Sequence, residues 1–135
     1  MDTTFFDQAG AKRRLSEFKG KFIVLTAWAE WCPHCQAHLP KIQKDLYGPY
    51  ASRGIAFVNV EASQGKAEDV AAFASKLGIT MPLYHDDNGS TRKAYPITGY
   101  PTTTFITPDF RILDAKDGET PIPDYIALFT PYLAP

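Results

Sequence analysis

The only two cysteines of this 135-residue chain lie in the stretch Trp31-Cys32-Pro33-His34-Cys35, spaced as a redox pair. An apolar strand-like run precedes them and a helix-like run follows. If Cys32 caps that helix, Pro33 falls at the first helical position, where a missing N–H costs nothing. The N–H groups of His34 and Cys35 are then free to point back at the Cys32 sulfur, and with the positive end of the helix dipole they favour thiolate over thiol. Cys32 is therefore the expected nucleophile. Cys35, one turn further in, is the expected resolving cysteine, attacking the mixed disulfide that Cys32 forms with a partner. His34 can donate to the Cys32 thiolate or, when charged, repel protons from it, and either effect makes the disulfide a better oxidant. His38 stands at i+3 from Cys35 and i+4 from His34 and so shares their side of the helix. It reads either as a proton acceptor for Cys35 or as a half-buried imidazole bonded to the backbone. A different chemistry uses some of the same residues: Cys32, Cys35 and His38 make C-x₂-C-x₂-H, and soft thiolates with imidazole suit copper(I) or zinc. Pro33 and the helix start favour the dithiol reading, for which no metal and no organic cofactor is expected.

Elements that could position this pair are legible on both sides of it. Phe22-Ile23-Val24-Leu25-Thr26-Ala27-Trp28 is a continuous apolar run, as in a central strand covered on both faces. The helix after it should cover about residues 33 to 47, kinked at Pro40 and broken at Gly48-Pro49, with room for one added turn at Tyr50-Ala51-Ser52. Residues 55 to 60 read as a second buried strand closing a right-handed βαβ unit. A helix is expected over 66 to 77 with Gly78 as its stop. Residues 79 to 84 read as a linker with a short extended piece, 86 to 89 as a loop, and 90 to 95 as one or two helical turns. A calcium reading of Asp86-Asp87-Asn88-Gly89 lacks the alternating oxygen spacing and the closing Glu. Residues 102 to 107 and 111 to 116 flank the turn dipeptide Pro108-Asp109 and predict an antiparallel hairpin. A last helix over 123 to 129 should end at Pro131. Before all of these, residues 3 to 6 and 12 to 15 flank Gln8-Ala9-Gly10 as a short hairpin or irregular arm, followed by one helical turn. The order predicts one α/β domain over residues 1–135, a three-layer sandwich with a mixed central sheet flanked by helices.

Trp28-Ala29-Glu30-Trp31-Cys32, the CxxC, Pro40 and Gly99-Tyr100-Pro101-Thr102 together resemble the thioredoxin superfamily. The spacing is most similar to its TlpA/ResA-like branch of exported thiol-disulfide oxidoreductases, over nearly the whole chain. The Pro-His dipeptide between the cysteines is instead that of the oxidising DsbA proteins. The resemblance implies a thioredoxin-like fold and a cis bond before Pro101, which would lie against the CxxC. The backbone of Tyr100 would then offer its N–H and C=O to a partner's extended chain, with Trp31, Pro33 and Tyr100 adding apolar contact. Two positions depart from the pattern. His38 stands where the branch usually has Glu, and Thr26 where thioredoxins carry a buried acid. Glu30 and Glu61, the other conceivable proton acceptors, read as surface charges. Nothing resembles the Pro-x₃-Thr-x₂-Cys pocket of peroxiredoxins.

A formal charge of −1 and the lack of a basic stripe argue against nucleic acid as a partner. With 44% hydrophobic residues the chain can fill a core without a disulfide staple, which leaves the cysteines free for chemistry. Lys12-Arg13-Arg14 reads as a solvated basic cluster. No apolar run is long enough to cross a bilayer. The first residues do not read as a signal peptide. Membrane contact is expected only through an anchor outside this sequence. The expected partners are protein thiols and disulfides and a redox partner protein, met by a monomer in the periplasm or another exported location, with the cytoplasm left open.

Overall fold

A computed structural model describes all 135 residues. Strands β1 (Thr4–Phe6) and β2 (Lys12–Arg14) form the N-terminal hairpin. The chain then enters β3 (Phe22–Trp28), whose every residue is buried. β3 pairs in parallel with β4 (Ile55–Glu61) and antiparallel with β6 (Thr102–Ile106). β5 (Tyr84–Asp86) extends the parallel part beside β4 and pairs antiparallel with β1, and β7 (Ile112–Asp117) closes the opposite edge. One mixed sheet results, in the order β2-β1-β5-β4-β3-β6-β7. A run of Val, Ile, Leu and aromatic residues takes this centre because only there are both faces of a strand removed from water.

Alternation along β3 divides the core in two. Phe22, Val24 and Trp28 pack with the side chains of α1 (Pro33–Ile42), among them Cys35 and Leu39, while Ile23 and Leu25 pack with Phe5, Tyr84 and Tyr95 on the other face. Trp28 lies 4.3 Å, ring to ring, from Phe73, which joins the helix over Ala67–Leu77 to the face of the sheet that α1 covers.

The helix expected to break at Gly48-Pro49 continues through it. After α1 the backbone widens into a π-helical turn over Gln43–Tyr47, runs on through α2 (Gly48–Tyr50) and a 3₁₀ turn, and stops only at Gly54, at φ +85°. In the wide turn the N–H of Gly48 reaches back to the carbonyl of Gln43. That spacing gives the Pro49 ring room against the carbonyl four residues before it, where an ordinary helix would force a clash. α3 (Ala67–Leu77) ends at Gly78, at φ +68°, as its sequence predicts. Asp86, expected in a loop, ends β5. Its carboxylate accepts the N–H groups of Thr91 and Arg92 and so starts α4 (Ser90–Ala94). Asp87 is taken by the Thr4 hydroxyl and Lys12, which ties the N-terminal hairpin down. α5 (Ile122–Phe129) ends at Phe129 as expected, just ahead of Pro131. Pro131 falls in the first turn of a short 3₁₀ segment, where its missing N–H is not needed.

Candidate active site

Cys32 is the N-cap of α1 with extended backbone, and Pro33 opens the helix, as its sequence predicts. Both cysteines are unpaired thiols; Cys32 is 7% exposed and Cys35 0%. The expected amide cradle around the Cys32 sulfur is absent. The N–H groups of Cys35 and Gln36 both donate to the Cys32 carbonyl at 3.1 Å, because a capping residue's carbonyl takes the first helical bonds. The Cys32 Sγ instead donates to the carbonyl of Tyr100 at 3.4 Å. The Tyr100–Pro101 bond is cis, as the resemblance implies. The Tyr100 carbonyl, expected to face a partner chain, therefore already faces the sulfur on which exchange would occur. Burial pushes the Cys35 thiol up to about 12, with the negative charges of Cys32 and Glu61 adding to the rise and a main-chain bond from Ala29 opposing it.

Trp31 is 58% exposed, and its ring meets that of Tyr100 edge-on at 5.8 Å, so the two aromatics form a rim beside Cys32. Behind them lies Glu61, which is not the surface charge its sequence suggests. It is 0% exposed, at the end of β4 where register sets it beside Trp28. An unpaired carboxylate there would cost several kcal/mol. Four donors offset that cost: the N–H groups of Glu30, Ser63 and Gly65, and the Ser63 hydroxyl. Nothing local in the sequence announces this, since a Glu ending an apolar run ordinarily marks the strand's exit to water. Beyond residues 62 to 65 opens a cleft of about 740 Å³ bordered by Arg92 and Lys93, beside the cysteine site rather than over it.

His34, exposed, is paired through Nδ1 with Glu119 Oε2 at 3.0 Å. The bond holds the Glu119 carboxyl below the usual range. His38 is buried, bonded neither to the backbone nor to Cys35: its Nε2 lies 2.8 Å from the Tyr125 hydroxyl, which in turn lies 3.2 Å from the Thr103 hydroxyl. Thr26 faces the same side of the sheet, with Asn59 and Thr103 as its register partners, and its buried hydroxyl has no hydrogen-bond partner. Tyr125 and Glu119 were missed in the sequence because each lies more than eighty residues from its histidine.

Burial lowers the His38 pKa, with Lys41 adding to the effect and Glu119 opposing it. A depressed folded value means that the unfolded chain takes up the proton first. Stability is then complete above about pH 6.5 and falls by up to about 1.4 kcal/mol per pH unit as the medium is acidified toward the folded pKa. Denaturant titrations from pH 7.5 to 5 should show wild type losing more stability than His38→Gln. Equal losses would mean that the buried imidazole is protonated in the fold.

No three His, Cys, Asp or Glu side chains gather closely enough to share a metal ion. The copper(I) or zinc reading of Cys32, Cys35 and His38 therefore finds no support, since His38 turns its Nε2 to Tyr125.

A mixed sheet flanked by helices, with a redox-spaced cysteine pair at the start of the helix after its central strand, defines a thioredoxin-like protein. The chain belongs to the AhpC/TSA family, which matches residues 1–115. It is similar to the thiol-disulfide oxidoreductase ResA of Oceanobacillus iheyensis, 37% identical over 78% of this chain and 54% of that one. It is also similar to the ResA of Bacillus subtilis, 30% identical over 93% of this chain and 70% of that one. The chain thus spans about half to seven-tenths of the length of these relatives. Among solved structures, the exposed lipoprotein thioredoxin of Streptococcus pneumoniae superposes with a TM-score of 0.81 at 24% identity, covering 97% of this chain and 99% of that one. That likeness speaks to the fold.

Proposed function

We propose that this chain is a thiol-disulfide oxidoreductase acting on protein dithiols and disulfides. The observation that carries the reading is the cysteine pair itself: Cys32 at the helix cap beside the Tyr100 carbonyl, with Cys35 fully buried one turn behind. The names of its ResA relatives agree with it. In the reducing direction the Cys32 thiolate attacks one sulfur of a substrate disulfide, forming a mixed disulfide and releasing the other substrate sulfur as thiolate. Cys35, once deprotonated, attacks the Cys32 sulfur, closes the Cys32–Cys35 disulfide and releases the second substrate thiolate. Two electrons leave the enzyme dithiol and its two protons go to the substrate thiolates. The oxidising direction is the same path reversed, and the partner's potential selects between them. Trp31, Pro33, Tyr100 and Pro101 form the docking surface, while His34, His38 and Thr26 set the environment of the pair. The chain works as a single domain and a monomer with no organic cofactor. Its redox partner is a protein, and its place is outside the cytoplasm, as its resemblance to the exported TlpA/ResA-like branch implies.

Thiol alkylation followed by mass measurement tests the reading. Two alkyl groups are expected after reduction and none after equilibration with an oxidised protein substrate, together with catalysed reduction of insulin. Thiols that stay alkylatable throughout would overturn it.

A further inference from the structure

We infer that Glu61 and Ser63 are positioning residues which hold Trp31 as the wall against which a polypeptide substrate is laid, and so make the site prefer protein disulfides to small ones. The inference rests on the oxidoreductase reading above and deepens it.

A chain of hydrogen bonds runs from the buried carboxylate to the exposed indole. The Trp31 Nε1–H donates to Ser63 Oγ at 3.1 Å, and the Ser63 hydroxyl donates to Glu61 Oε2 at 2.6 Å. The same Oε2 accepts the N–H of Glu30 at 2.9 Å, so Glu61 fixes the backbone just before Trp31 as well as the far end of its side chain. The other rim aromatic is tied to the same segment: the Tyr100 hydroxyl donates to the Ala62 carbonyl at 3.0 Å, and the Ala62 N–H donates to the Trp28 carbonyl at 2.9 Å. Close packing locks the arrangement. A Cβ on Gly65 would stand 2.6 Å from the Glu61 carboxyl carbon, so only glycine lets this loop fold back onto the carboxylate.

Stability does not require such a device. An exposed indole N–H is satisfied by water at no cost, and a carboxylate left at the surface avoids desolvation altogether. What the chain of bonds supplies is order in a large apolar side chain beside the nucleophile, which lowers the entropy lost when a substrate chain immobilises it. A small disulfide needs access only to Cys32 and gains nothing from an ordered wall, whereas an extended polypeptide running past Tyr100 contacts it.

Steady-state reduction of insulin and of the small aromatic disulfide DTNB by the wild-type chain, Ser63→Ala and Ser63→Thr, with dithiothreitol as the electron donor and its uncatalysed rate subtracted, tests this. Ser63→Ala cuts the link to the indole and leaves Glu61 its three backbone donors. The expected result is a several-fold rise in KM for insulin with kcat held, no rise in KM for DTNB, and faster local motion of Trp31 in fluorescence anisotropy. Ser63→Thr keeps the hydroxyl and should restore all three readouts. An unchanged insulin KM, an equal loss on both substrates, or a raised KM without altered anisotropy would each overturn the inference. Wild type inactive on both disulfides would instead remove the parent reading, and this one with it.

Discussion

Replacing Cys32 with serine is expected to bring disulfide exchange down to the uncatalysed background, whereas Cys35→Ser should leave the first attack intact and accumulate a mixed disulfide at Cys32. The two thiols are three residues apart, yet their surroundings differ. Cys32 caps α1, touches the Tyr100 carbonyl and retains some exposure; Cys35 is sealed between α1 and β3. A substrate sulfur can meet only the first in line, and the second can be reached only from within. Non-reducing electrophoresis and mass measurement after mixing each variant with a protein disulfide would separate the outcomes. Equal residual activity in the two variants, or adducts retained by Cys32→Ser, would reverse the assignment.

The parts of the fold that a local pattern fixes were legible. Residues 22 to 28 form a strand because seven consecutive apolar or β-branched positions suit only a strand covered on both faces, and Gly78 ends α3 because the chain needs a left-handed residue there. Of the active site, the cysteines, the cap and Pro33 were legible for the same reason. The polar partners were not. Glu61 is buried by its register with β3 and by a loop that turns its own amides inward; His38 is satisfied by a hydroxyl on α5; His34 is held by Glu119. Each pairing depends on which strands and helices become neighbours, and no spacing along the chain encodes it. Gly48-Pro49 misled in the opposite sense, since the local rule for proline assumes an ordinary helix and the chain there is wider.

Burial also acts on Cys35. Its pKa is pushed up to about 12, burial being the largest cause. The imidazole of His38 is engaged with Tyr125, and Thr26 supplies a hydroxyl where an acid would serve as acceptor. Formation of the mixed disulfide removes the Cys32 charge and so relieves one lesser cause of the rise, but burial remains. Resolution should therefore be limited by the thiolate fraction of Cys35 and speed up about tenfold per pH unit, or about a thousandfold from pH 6 to 9. The raised value also means that folded reduced protein holds this proton longer than the unfolded chain, so stability from it is complete below about pH 8.5 and declines above. Rapid-quench alkylation of the mixed disulfide across this range measures the step directly. Thr26→Asp, which places a carboxylate on the face of β3 that α1 covers, should flatten the profile while lowering stability, since a buried charge without a partner costs several kcal/mol. A wild-type profile already flat from pH 6 to 9 would show that Cys35 hands its proton to a group inside the fold, and would make the buried pair of His38 and Tyr125 the first place to look for it.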